Sequence, residues 1–306
     1  SRRKVLHAAG VLGAGIFAGQ VGFPGILRSA RAAAPEIKTV NPGFLTMSMT
    51  DYLPMIAIRD GKVVGVDGDL AALIAERVGL KVKGELMAAT STFQSVASGR
   101  VDCYGGNLYW TKKRAEVALL TDTVYYPGMF AIMKTDKAFT TSITTDDFAA
   151  HSIGSATMFG FVPDMKKIPG TTEVKLYDTP ETCLMDVVAG RLDFAFLDAP
   201  IIDYMIQQNP DWGLKEVRIT FNPDYPGLTS KAQCAWAVNP QELDLFDALN
   251  QGIAWLKKTN QISAMLAKYG IKDSDYVQPL PEDARIGVDR DESGKLIGPF
   301  AHEQKD

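Results

Sequence analysis

The chain has 306 residues, of which 46% are hydrophobic, 9% aromatic and 22% charged. That is enough for a sizeable core in about two domains of ordinary size. The balance excludes a disordered, collagenous or disulfide-scaffold chain, and a net charge of −4 argues against nucleic acid as a partner, because a phosphate-binding face needs clustered Lys and Arg.

Residues 1–34 differ in kind from the rest. Arg2, Arg3 and Lys4 form a basic start, residues 8–27 carry no charge and six glycines, and Arg28-Ser29-Ala30-Arg31-Ala32-Ala33-Ala34 supplies small residues for cleavage. This is the layout of a secretory signal. The paired arginines and the Gly-rich, weakly apolar stretch resemble a twin-arginine export signal, with cleavage expected after Ala32 or Ala34. The segment removes five of the 32 basic residues and none of the 36 acidic ones, so the remaining 272 residues carry −9. A basic address label masks an acidic exported protein.

Next, Val63-Val64-Gly65-Val66 reads as a strand, with Asp67 and Asp69 as helix N-caps. Leu70, Leu73, Ile74 and Val78 form one apolar helix face. Gly79 stops that helix before a strand begins at Leu80. A near-repeat follows. Ser98-Gly99-Arg100-Val101-Asp102 recurs 91 residues later as Ala189-Gly190-Arg191-Leu192-Asp193. Each copy ends an amphipathic helix, capped by Thr92 in one case and Thr179 in the other, and each leads into a strand, Cys103–Gly106 or Phe194–Leu197. Repetition of a whole helix–turn–strand element predicts two similar α/β lobes. Met129–Met133 and Cys234–Val238 read as the strands that cross between them. Helices over 241–257 and 260–269 present Leu243, Phe246, Leu249, Ile253 and Leu256, then Ile262, Met265, Leu266 and Tyr269, to the core. Residues 279–306 form a polar tail with a hairpin expected between Arg285 and Gly298. Cys103, Cys183 and Cys234 read as buried free thiols with room for one disulfide at most, and His7, His151 and His302 have no metal-ligand spacing, so neither metal nor cofactor is expected.

Four stretches together resemble the family 3 periplasmic solute-binding proteins that serve amino-acid ABC importers. They are Gly61–Leu70, Phe93–Asp102, Thr111–Ala115 followed by Asp122–Tyr126, and Ala189–Asp198. The resemblance implies an α/β, two-lobed periplasmic binding protein fold of type II with two crossovers. It implies lobe 1 from residues 35–132 plus 233–278 and lobe 2 from 133–232, closing by a hinge on a small solute. It also implies a membrane permease as partner, a monomer, and no catalysis.

For the site, the resemblance implies that Arg114 forks onto a ligand carboxylate and that Asp198, at a strand end, takes an ammonium. Tyr52 is expected as an aromatic wall and Asn107 as a polar contact. Tyr109-Trp110 and Ala156–Gly160, the latter with Thr157 and Phe159 as candidate contacts, depart from the family pattern, as does Met49 where an acid is common. These departures point to an apolar, aromatic pocket in which Tyr109, Trp110 and Phe159 face the ligand, and to a ligand other than a basic amino acid. Two other readings stay open. One is an exported cyclohexadienyl dehydratase-like enzyme, for which Glu173 and Glu181 are acids by type alone; the other is a sensory solute-binding module.

Overall fold

The computed structural model describes residues 37–303 except 158, 272 and 273. The expected export signal lies outside the described residues. Among those described, no helix is long and apolar enough to cross a membrane.

In chain order the elements are β1 (Phe44–Met49), β2 (Ala57–Arg59), β3 (Lys62–Val64), α1 (Val66–Arg77), β4 (Lys81–Leu86), α2 (Ala89–Ala97), β5 (Cys103–Tyr104), α3 (Lys112–Ala115), β6 (Leu119–Leu120), β7 (Met129–Lys134), β8 (Ser142–Ile143), β9 (Ser152–Ala156), α4 (Val162–Met165), β10 (Glu173–Tyr177), α5 (Pro180–Val188), β11 (Phe194–Asp198), α6 (Ala199–Gln208), β12 (Leu214–Ile219), α7 (Pro226–Thr229), β13 (Ala237–Val238), α8 (Leu243–Lys258) and α9 (Gln261–Lys268). They build a five-stranded sheet in the order β4-β1-β5-β13-β6 and a six-stranded sheet in the order β10-β9-β11-β7-β12-β8.

The two sheets share a plan. In the first, β1 runs parallel to β4 and β5; in the second, β9 runs parallel to β10 and β11. The fourth strand is antiparallel in both, β13 against β5 and β7 against β11. Each lobe therefore takes into its sheet the strand that arrives from the other lobe. All of β7 hydrogen-bonds to β11 and β12. Residues 129–132, placed in lobe 1 from sequence, thus belong with the second sheet.

Hydrophobic periodicity locates the helices. Val66, Leu70, Ile74 and Ala75 of α1 are buried, as are Phe246, Leu249, Ile253 and Leu256 of α8. The two helices meet closely at Gly252, where a Cβ would stand 2.5 Å from Ile74 Cγ2. The caps differ from expectation at two places. The N-cap of α1 is Gly65, so Asp67 lies inside the first turn. Helix α2 starts at Ala89, which places Thr92 within the helix and buries it. Thr179 does cap α5, accepting from the Thr182 amide, with Pro180 in the first turn. The three cysteines are buried and unpaired.

The tail is built onto lobe 1. The Arg285 guanidinium is buried, donates to the carbonyls of Leu120 and Thr121 at 2.9 and 2.7 Å, and pairs with Asp289 at 2.8 Å. Arg290 donates to Leu120 as well, at 2.8 Å. The expected hairpin reduces to a tight turn over Asp291–Lys295 that brings Arg290 opposite Leu296. His302 reaches back to Asp247 on α8 at 2.9 Å.

Candidate ligand-binding site

The repeated strands β5 and β11 end beside each other, one in each lobe. Asp198 is the last residue of β11 and is almost fully buried. It precedes α6 but makes no capping bond there. Instead its carboxylate accepts three hydrogen bonds from lobe 1. Tyr52 Oη donates to Oδ2 at 3.0 Å, Asn107 Nδ2 donates to the same oxygen, and Tyr109 Oη donates to Oδ1 at 2.6 Å. Burial pushes the Asp198 carboxyl up to about 6, against the pull of those three donors. Desolvation disfavours the charged form and hydrogen bonding favours it; here the former wins. Burial and the adjacent carboxylate also hold the Tyr52 and Tyr109 phenols well above their usual range, so both stay protonated donors.

Asn107 owes its place to Asp67. The Gly105-Gly106-Asn107 loop turns sharply, with Asn107 in the left-handed region at φ 61°. Asp67 Oδ2 accepts the amides of Gly106 and Asn107, both at 2.9 Å, and the Tyr125 hydroxyl at 2.7 Å, while Oδ1 accepts Trp236 Nε1 at 2.7 Å. Tyr125 and Trp236 belong to the two segments that cross between lobes. A single buried carboxylate thus ties α1, the loop after β5 and both crossovers together. Burial raises its pKa despite these four donors.

Arg114 and Asp198 meet Tyr109 from opposite ends. Arg114 Nη1 donates to the Tyr109 carbonyl, and the Tyr109 hydroxyl donates to Asp198. The guanidinium is half-buried, with its carbon 5.7 Å from the centre of the Phe93 ring, and it pairs with no carboxylate among the described residues. Burial lowers its pKa, yet arginine remains charged throughout the working pH range. A cation and a carboxylate that do not pair directly can engage opposite ends of a zwitterion.

The other expected contacts are not drawn to Asp198. The Trp110 indole nitrogen donates to Asp289 of the tail at 3.1 Å, and its ring lies 5.9 Å from the Arg285 guanidinium carbon. This aromatic packs within lobe 1 because the tail supplies the acceptor its N–H needs. Phe159 stacks on Phe161 with centroids 5.1 Å apart, packed in lobe 2. Thr157 is exposed, its amide donating to the Tyr177 carbonyl at 2.9 Å. Met49 is wholly buried in the first sheet. Glu173 and Glu181 are both exposed. Among the described residues no group of three or more His, Cys, Asp and Glu side chains is arranged to hold a metal ion.

Sequence reasoning missed Asp67, Tyr125, Cys234 and Trp236. The signal was partly there, since Asp67 lies inside the first motif and Tyr125 inside the third.

Comparison with known proteins places the chain in a family. The chain matches the family described as bacterial extracellular solute-binding proteins, family 3, over residues 45–272. It is 24% identical over 210 residues to ABC transporter arginine-binding protein 1 of Escherichia coli (strain K12), covering 67% of this chain and 82% of that one. It is 23% identical over 142 residues to the probable amino-acid-binding protein YxeM of Bacillus subtilis (strain 168), covering 46% of this chain and 53%, about half, of that relative. Among solved structures, an ancestral arginine-binding protein bound to glutamine superposes with a TM-score of 0.58 at 23% identity, covering 75% of this chain and 98% of that one. The shared fold is the two-lobed periplasmic binding protein fold.

Proposed function

The chain belongs to the bacterial extracellular solute-binding proteins of family 3, and from that premise we propose that it captures a small amino acid or related zwitterion between its lobes. Asp198 takes the ammonium and Arg114 the carboxylate. The observation that carries this reading is the position of Asp198: a buried carboxylate on lobe 2 held by Tyr52, Asn107 and Tyr109 of lobe 1. A carboxylate whose donors all come from the opposite lobe links closure to whatever occupies the site. The bound protein then presents its solute to an ABC permease. It acts as an exported monomer once its export signal is cleaved after Ala32 or Ala34. Lobe 1 consists of the chain before and after the two crossovers, and lobe 2 of the stretch between them.

The aromatic wall of Tyr52 and Tyr109, with Met49 buried rather than acidic, supports an aliphatic or aromatic ligand. The relatives named for arginine make the basic amino acids the direct alternative. Calorimetric titration of the full chain with leucine, phenylalanine, glutamine and arginine separates the two. Arg114→Ala and Asp198→Asn are each expected to weaken the best ligand at least a hundredfold, since removing one partner of a buried charge pair costs about 3–5 kcal/mol. Binding by both variants at wild-type affinity would overturn the site. Binding is also expected to weaken as pH falls through about 6, where Asp198 takes up its proton. Exposure of Glu173 and Glu181 supports binding over catalysis; turnover of prephenate or arogenate by the purified protein would reverse that reading.

A further inference from the structure

Asn107 is the one amide among the three donors to Asp198, and an amide has two chemically different ends of nearly the same shape. Its Nδ2 faces Asp198 Oδ2, and its Oδ1 accepts from Cys234 Sγ at 3.0 Å. Cys234 lies in the second crossover, fixed by its own backbone. Its amide donates to the Tyr125 carbonyl at 3.0 Å, its carbonyl accepts from Val124 at 2.7 Å, and it bridges to both Tyr109 and Tyr125. Cys234 and Trp236 are two residues apart and engage the same loop. Trp236 reaches Asp67, which holds the Asn107 backbone, and Cys234 reaches the Asn107 side chain.

We propose that Cys234 is a positioning residue whose thiol sets the polarity of the Asn107 amide, so that a donor rather than an acceptor faces Asp198. Reversed, the amide would set Oδ1 against a carboxylate oxygen and Nδ2 against sulfur, a weak acceptor. The thiol fills this role only while it carries its proton. Burial, together with Asp67 and Asp198 nearby, pushes its pKa well above the ordinary thiol value, while Tyr125 and Arg114 pull the other way. At neutral pH the S–H is therefore intact. The consequence falls on Asp198, whose own titratable contacts are Tyr52 and Tyr109. Without an oriented Asn107 it loses one of three donors, and its proton affinity rises.

This deepens the reading of Asp198 as the ligand's partner, but its test needs no ligand. The Asp198 carboxyl is followed by ¹³C NMR in the full chain, labelled at aspartate and assigned with Asp198→Asn. In the wild type the midpoint is expected near 6. Cys234→Ala should raise it by about one pH unit, roughly tenfold in proton affinity. Cys234→Ser, which keeps an O–H donor, should return it to the wild-type value. Asn107→Ala should shift it as far as Cys234→Ala, and the double variant no further. If Cys234→Ala folds poorly, Cys234→Val fills the volume without a donor and is expected to shift the midpoint equally. An unchanged midpoint in the donor-less variants overturns the proposal, as does a serine variant that shifts like alanine, the mark of packing alone. Wild-type ligand affinity in both Arg114→Ala and Asp198→Asn would instead overturn the proposed function and leave this result standing.

Discussion

The two copies of the helix–turn–strand repeat perform the same mechanical task with different electrostatics. Both glycines, Gly99 and Gly190, sit at φ 73°, and both following hydrophobics, Val101 and Leu192, are buried. Both aspartates reach sideways to the first strand of their own sheet. Asp102 accepts the Thr46 amide of β1 at 2.7 Å, and Asp193 accepts the Ser152 amide of β9 at 3.0 Å. The surroundings then diverge. Asp102 also accepts the Val40 amide at 2.7 Å and is sealed from water, and its pKa is raised, with desolvation the largest cause. Asp193 keeps 37% side-chain exposure and pairs with Lys137 at 2.9 Å. Burial pulls its pKa upward, but the bonds from Lys137 and Ser152 together outweigh that and hold it well below the usual carboxylate range. The short motif thus encodes a backbone device. The direction in which its proton affinity shifts follows from what covers it, the segment around Val40 in one lobe and solvent with a lysine in the other.

The contrast can be broken at its largest point first. Asp102→Ala strands two backbone donors and is expected to cost about 2–4 kcal/mol. Asp193→Ala, screened by solvent, should cost only about 1 kcal/mol. Urea unfolding midpoints at pH 7 compare the two, and equal losses would refute the difference in shielding. Acid sharpens the contrast. The folded-state pKa of Asp193 is depressed, so its stabilisation is complete above the unfolded value of about 4 and disappears as pH falls through the folded value. The pKa of Asp102 is raised, so its protonation favours the fold and its contribution runs the opposite way. Stability curves of wild type and Asp193→Ala should therefore converge below about pH 4. A constant gap between them down to pH 2 would contradict the sign.

The glycines give a smaller effect. Alanine in the left-handed region costs about 1–2 kcal/mol at either position. At Gly99 a Cβ would also stand 2.6 Å from Asn239 Nδ2, whereas at Gly190 its nearest neighbour is Lys134 Nζ at 3.7 Å. Gly99→Ala should be the worse of the pair in thermal unfolding, and the reverse order would contradict the packing. Smallest is the arginine. Arg191 pairs with Asp186 on the surface, and Arg100 has no ion-pair partner among the described residues. Alanine is expected to cost about 0.5 kcal/mol at Arg191 and nothing measurable at Arg100.

Local signals carried much of this architecture into view. Gly99, Gly190, Thr179-Pro180 and the apolar stripe of α8 each act within a few residues, so a single stretch of sequence reveals them. Tyr52, Asn107 and Tyr109 each hydrogen-bond to Asp198; the resemblance pointed to Tyr52, Asn107 and Asp198, and Tyr109 drew attention by departing from the family pattern. The pieces that escaped notice are tertiary. Asp67 meets Trp236 from 169 positions away, and Cys234 meets Asn107 from 127. A buried hydrogen bond between distant polar groups leaves no periodicity to read. Trp110 escaped for the same reason: its aromatic ring next to Tyr109 suggested a ligand wall, while the acceptor that claims its N–H lies in the tail.

That tail also bears on how the chain would tolerate truncation. The family match ends at residue 272, yet beyond it Arg285 holds the carbonyls of Leu120 and Thr121. An appended segment that takes over hydrogen bonds at a buried position leaves those carbonyls without a partner if it is later deleted. The segment beyond the matched residues is therefore a strut for lobe 1: without Arg285 and Arg290, the end of β6 would hold buried carbonyls with no donor in their place.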